Sequence, residues 1–321
     1  MAFSASCRAW RSSIIIAAAA GLAWVCAIAP AARAQAPGQA ASPPADAAGT
    51  ELIKIEYVPP KDPKHQTAYK LVQQRGALEM MKKVFTPLRL PLPVTIKTLG
   101  CDGVSNAYYS RVPKDQPTIS ICYEYLVDIW NIMPKENEAA MVTAMDAVIG
   151  QLFFALAHEF GHAVFDAFDV PVFGREEDAA DQFATYYMLQ FGEDRAHRLV
   201  TGAAFSYRQY IKNYKQKPNV TLPLLTFSSD HGAPEQRFFN LICLAYGYDA
   251  KLFERVAAEY LPKRRAENCR FEYAAVKYAY KQLIVPHLDM DLAGKVMDAK
   301  WLDDADHRPV ALRGDETRRG R

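Results

Sequence analysis

The residues that most constrain this chain are His158-Glu159-Phe160-Gly161-His162, an HExxH pattern inside an apolar segment at 136–168. That segment reads as one or two long helices, with Gly150 as a candidate break. Four residues make just over one helical turn, so the two imidazoles project from one face, roughly 6 Å apart, and can share a metal ion. Glu159 lies one step round the helix, where it can take a proton from water held by that ion. A membrane span is excluded. Asp146 and Gln151 interrupt the segment, and its unbroken apolar part, Leu152 to Ala157, is far too short. The reading is a buried core helix.

Two histidines need a third ligand. Glu176-Glu177-Asp178-Ala179-Ala180-Asp181 follows after a short loop and opens a helix expected from about 175 to 191. Packed against the first helix, Glu177 can supply a carboxylate to the metal. Asp181, one turn on, can accept the free N–H of a ligating histidine and so fix its tautomer and orientation. Ala179 and Ala180 suit close helix packing. The competing reading is a solvated acidic helix start favoured by the dipole. The apolar Phe183, Ala184 and Tyr187 that follow argue for the packed helix. A metzincin-type extension fails, because Phe165 and Phe168 stand where it needs Gly and His. Asp166, one turn beyond His162, is a rival better suited to an outer or capping role. Glu177 is preferred.

The ends bound the folded part. Arg8 and Arg11 precede an apolar run, Ile14 to Ala29, which closes at the small-residue site Ala32-Arg33-Ala34, so 1–34 reads as a cleavable export signal. Residues 35–50 suit a flexible linker and 303–321 a disordered charged tail. The folded domain is then 51–302, destined for the periplasm or secretion, with no transmembrane anchor after cleavage. A net charge of +2, with no basic block outside the tail, argues against nucleic acid as a partner. Beyond the signal stand Cys101, Cys122, Cys243 and Cys269. An even count in an exported chain suggests two disulfides, and the modest loops favour Cys101–Cys122 and Cys243–Cys269 among three pairings.

Helical spacing covers 67–86, stopped by Pro87. Strands are expected at 94–98 and 118–126, and further helices at 193–214, 233–246, 250–261 and 270–284. Tyr123 and Glu124, on the second strand, are both candidates to face a cleft. The fold class is α+β and mostly helical: a small N-terminal sheet packed on the HExxH helix, then a helical C-terminal part.

HEFGH followed by Glu177-x-x-x-Asp181 resembles the gluzincin group of zinc peptidases, with two histidines and a glutamate as ligands. Arg175 to Ala184 is similar to the E-x-x-A-D segment of HtpX-like and CAAX-protease-like enzymes, and Asp230 to Arg237 resembles their later H-P-x-x-x-x-R segment. The resemblance spans roughly 68–285 and is best matched by a bacterial family of exported metallopeptidases without an assigned substrate. It implies a zincin-like fold and one Zn²⁺ per chain. The chain departs from the membrane enzymes in lacking their transmembrane helices and in carrying Gly232 where they have proline.

On this reading His231 could donate a hydrogen bond to the oxyanion formed when water attacks a carbonyl, and Arg237 could fix its loop by pairing with a carboxylate. Ser105-Asn106-Ala107-Tyr108-Tyr109 is similar to the N-A-aromatic edge strand lining some gluzincin clefts, where an extended peptide pairs with the backbone. A plain turn and aromatic strand fits those residues equally well. The expected function is an exported zinc peptidase acting on a peptide or protein. His158, His162 and Glu177 hold the metal, and Glu159 is the general base. The alternatives are a zinc-containing binding protein on a peptidase scaffold, or a zinc amidase acting on cell-wall material. Oligomeric state is not legible.

Overall fold

The structure, a computed structural model, describes residues 52–113, 116–134, 142–215 and 228–298. The expected signal, linker and charged tail lie outside these residues.

A four-stranded mixed sheet comes first. Its strands are β1 (Ile53–Tyr57), β2 (Val94–Leu99), β3 (Ala107–Ser110) and β4 (Thr118–Cys122), in the order β1-β2-β4-β3. β1, β2 and β4 run parallel, with Ile53 opposite Val94 and Ile96 opposite Ile119. β3 is antiparallel to β4 and forms an edge. β1 was not expected, although Ile53, Ile55 and Tyr57 alternate with Lys54 and Glu56. The crossover from β1 to β2 carries α1 (Gln66–Gln74) and α2 (Ala77–Phe85). These divide the single helix expected at 67–86. Gly76 sits between them at φ +57°, a left-handed conformation that glycine adopts without steric cost.

The strand expected at 118–126 stops at Cys122, and α3 (Tyr123–Asn131) begins at once. Tertiary contacts override the aromatic alternation there. The Tyr123 ring is buried and its hydroxyl donates to the Val58 carbonyl at 2.6 Å. The Glu124 carboxylate accepts the backbone N–H groups of Cys101 and Gly103 at 3.0 and 2.9 Å. Neither residue lines the cleft described below.

The helical body is built on α4 (Ala144–Ala167), capped by Thr143, whose hydroxyl accepts the Asp146 N–H at 3.0 Å. Around and beyond it stand α5 (Glu176–Met188), α6 (Glu193–Lys215), α7 (Pro234–Tyr248), α8 (Glu254–Tyr260), α9 (Lys263–Ala266), α10 (Cys269–Leu283) and α11 (Met290–Asp298). Every residue of α4 from Phe153 to Phe165 is buried. Among the described residues α4 alone is long and apolar enough to cross a membrane, yet 72% of its most apolar stretch is buried inside the protein. It is a core helix. Gly150 does not break it. A Cβ there would stand 2.5 Å from the Leu199 carbonyl oxygen of α6, and one at Gly202 only 1.9 Å from that of Asp146. The glycines let two backbones touch.

Phe85 of α2 stacks on Phe160 at 3.9 Å, fixing the face of α4 opposite its histidines to the crossover helices. Cys101–Cys122 staples the end of β4 to the loop after β2, and Cys243–Cys269 joins α7 to α10. Both pairings are those expected. The architecture is α+β and mostly helical.

Candidate metal centre

The centre lies where the buried middle of α4 meets the first turn of α5. Because α4 is packed on all sides, His158, Glu159 and His162 are buried despite their polarity, at 3%, 7% and 9% exposure. Such groups are tolerated only with partners. The partners of the two histidines come from the acidic first two turns of α5, whose first turn also suits the helix dipole.

Each ring is held by its Nδ1. His158 Nδ1 lies 2.8 Å from an Asp181 carboxylate oxygen, and His162 Nδ1 lies 2.8 Å from Glu176 Oε1. A carboxylate can only accept, so both Nδ1 atoms carry a proton, and each Nε2 presents its lone pair whenever its ring is neutral. The two Nε2 atoms face each other at 3.2 Å. Glu177 Oε2 stands 2.9 Å from one and 3.4 Å from the other. Neutral rings would bring three acceptors together with no donor among them, so either a bound cation or protons on the rings must bridge them. Ligand atoms held ~2.0–2.1 Å from a tetrahedral zinc stand about 3.3–3.4 Å apart along the edges, close to the spacings observed. The donor set fits.

The electrostatics agree. Burial disfavours a charged His158, but the bonds to Asp181 and Glu177 outweigh it and raise the ring to about 9. Burial also pushes Glu177 upward, yet His158, His162 and His231 hold its carboxyl well below the usual range. Where no metal is bound, protons stand in for it. Asp181 is held at about 2, against its own burial, by the Arg237 guanidinium and the His158 ring. Arg237 reaches it from α7 through two bonds of 2.7 Å and lies over the rings of Tyr207 and Phe154 at 5.4 and 5.9 Å.

A family described as "Putative metallopeptidase" (DUF4344) matches residues 57–284, most of the described chain. The chain belongs to this family. No curated protein and no solved structure matches it.

A cleft of about 770 Å³ opens over the centre, with Asn106, Ala107 and Tyr108 of β3 and its approach along one wall. Asn106 accepts the Cys122 N–H at 3.0 Å, so by antiparallel alternation Ala107 and Tyr109 turn their backbone groups away from β4. Burial raises the Glu159 carboxyl above its ordinary value even though His158, His162 and the Tyr109 backbone pull it down. Asp166 is engaged elsewhere: it accepts the Tyr109 hydroxyl at 2.8 Å and pairs with Arg111.

His231 reaches the centre from the loop before α7. Its Nε2 is 2.9 Å from Glu177 Oε2, and its ring stacks on His158 with centroids 5.6 Å apart. His158, Glu177 and His231 offer ligand atoms all within 4.8 Å of one another. Arg237 pairs with Asp181 and thereby anchors the start of the helix that follows this loop. Cys101, Cys122 and Glu124 also cluster, but the disulfide leaves no thiolate there. The sequence reading missed Glu176 as the partner of His162, and Tyr109 and Arg111 as the partners of Asp166. Glu176 had a signal, since it precedes Glu177 on the same turn. The Asp166 contacts span more than fifty residues and left none.

Proposed function

We propose that the chain is an exported zinc peptidase of the gluzincin type on a zincin-like scaffold, with His158, His162 and Glu177 as ligands to one Zn²⁺. The observation that carries this reading is the convergence of His158 Nε2, His162 Nε2 and Glu177 Oε2, with both rings held at Nδ1 by Asp181 and Glu176. Bound zinc supplies acidity to a water molecule and polarises the scissile carbonyl. Glu159, buried beside the two histidines, removes a proton as the water oxygen attacks the carbonyl carbon. The same carboxyl then delivers that proton to the nitrogen as the C–N bond breaks, giving a carboxylic acid and an amine, and the acid passes the second water proton to the amine to leave carboxylate and ammonium. His231 Nε2 donates to the developing oxyanion. The edge of β3 at Ala107 pairs with an extended peptide through its backbone. Two disulfides in the fold support an oxidising compartment and hence export.

The test combines metal content with turnover. Purified protein is expected to hold about one zinc per chain and Glu177→Ala to lose it, while Glu159→Gln keeps zinc and stops cleavage of an unfolded protein. Full zinc retention in Glu177→Ala would sink the ligand set.

The contact of His231 with Glu177 favours a second reading, a zinc-stabilised binding protein. Structural zinc sites fill all four positions with protein ligands, and His231 could be the fourth. His231→Ala separates the two. An oxyanion donor costs on the order of 10²–10³ in turnover with zinc affinity unchanged. A fourth ligand weakens zinc binding, in a wild type that cleaves nothing.

A further inference from the structure

The outward face of α10 carries a pattern that the metal centre does not use. The inner face is fixed by the buried Cys269, disulfide-bonded to α7, and by the buried Tyr280. At about 100° per residue, Phe271 and Tyr278 fall opposite those two, one above the other, and are 75% and 67% exposed. Ala274 and Ala275 lie between them, so the two rings form a ridge. Arg270, Lys277 and Lys281 all fall on one flank of that ridge and are exposed. The only carboxylate on the helix, Glu272, turns inward to Arg265 at 2.7 Å. Lys263 and Arg264 on α9, just before α10 in the chain, are exposed as well. Residues 263–281 hold six cations and two carboxylates, a net charge of +4, whereas the whole chain carries +2.

Neither half of this pattern serves the fold. Two large rings are left in water, and the cations beside them make no ion pair among the described residues. We propose that this face docks on a bilayer surface containing anionic phospholipid, with the Phe271–Tyr278 ridge at the headgroup–acyl boundary and the basic flank on the phosphates. An aromatic line bordered by lysine and arginine is the composition that holds a helix in the plane of a membrane interface. A second copy of the chain is disfavoured as the occupant, because pairing the ridges would bring like charges together. A plain polyanion would account for the cations but not for the rings.

The test uses the exported chain and sedimentation with phosphatidylcholine vesicles, with and without phosphatidylglycerol. Wild type is expected to bind better when phosphatidylglycerol is present, and less so at high salt. Each basic residue near an anionic surface strengthens partitioning about fivefold, so Arg270→Gln/Lys277→Gln/Lys281→Gln loses on the order of 100-fold on the anionic vesicles. Phe271→Ala/Tyr278→Ala weakens binding at unchanged charge, and Tyr278→Trp adds a fluorophore to the native tryptophans, so that its emission, read as the difference from wild type, shifts to the blue on anionic vesicles alone. Because attachment through the apolar run at 14–29 would mask these differences, the chain is used as the exported form, with the expected signal at 1–34 removed. Melting curves matching wild type check that the variants fold. No preference for phosphatidylglycerol, or triple-glutamine binding equal to wild type, would overturn the proposal. So would a double-alanine variant that binds as wild type while heparin displaces it fully, which would assign the face to a soluble acidic partner.

Discussion

Two carboxylates hold the two ring Nδ1 atoms of the centre at the same 2.8 Å, from opposite surroundings. The Asp181 side chain is 11% exposed and takes two bonds from Arg237, itself enclosed by the Tyr207 and Phe154 rings. The Glu176 side chain is 56% exposed, and among the described residues its one ion-pair partner is His162. Equal distances therefore conceal unequal consequences. Water can solvate Glu176 or replace it, but nothing can replace Asp181 without stranding a buried guanidinium. One histidine of the centre is fixed by the core of the protein, the other by its surface.

The largest expected effect follows from the buried side. Asp181→Ala leaves Arg237 uncompensated and frees the His158 ring, and should cost about 3–5 kcal/mol of stability, read from urea unfolding. Zinc affinity should fall 10–100-fold at the same time. Asp181→Ala combined with Arg237→Met removes the stranded charge and should recover part of the stability while zinc affinity stays low. If the double variant is no more stable than Asp181→Ala, the cost does not lie in the unpaired cation and the contrast with Glu176 loses its basis.

Metal removal sharpens the same contrast. Zinc at 100 times its Kd stabilises the fold by about 2.7 kcal/mol, which for a domain of this size is roughly 5–10 °C in Tm. Chelation of wild type should produce that drop in a thermal melt. In Asp181→Ala the drop should shrink, because weaker binding leaves less to remove. An equal drop in both would mean that Asp181 does not orient a ligand.

How much of this was open to inspection in the sequence depended on distance along the chain. The helix carrying His158 and His162, the acidic turn carrying Glu177 and Asp181, and both disulfides were legible. Helical period, short spacing and cysteine count are local or nearly local signals. The end of β4 was not, because Tyr123 starts a helix only once its hydroxyl has Val58 to bond and Glu124 has the Cys101–Gly103 turn to cap. Gly150 was misread as a break for a similar reason. What fixes a glycine there is the α6 backbone some fifty residues on. Arg237 was expected to find a carboxylate, but that this carboxylate is Asp181, so that Arg237, Asp181 and His158 form one line, emerges only from packing α7 on α5.

The smallest effect belongs to Glu176, and it tests the comparison most directly. Glu176→Gln keeps an oxygen that can accept the His162 Nδ1–H, so the ring tautomer is preserved and only the charge is lost. Stability should stay within about 0.5 kcal/mol of wild type, as for most exposed positions. Zinc affinity, measured by competition with a chromophoric chelator, should fall by no more than about tenfold, the lower limit for partners that orient metal ligands. Glu176→Ala should fall somewhat further, because only water is then left to take the Nδ1 proton. A Glu176→Gln loss as deep as that of Asp181→Ala would mean that carboxylate charge, rather than a buried partner, sets the affinity of this centre.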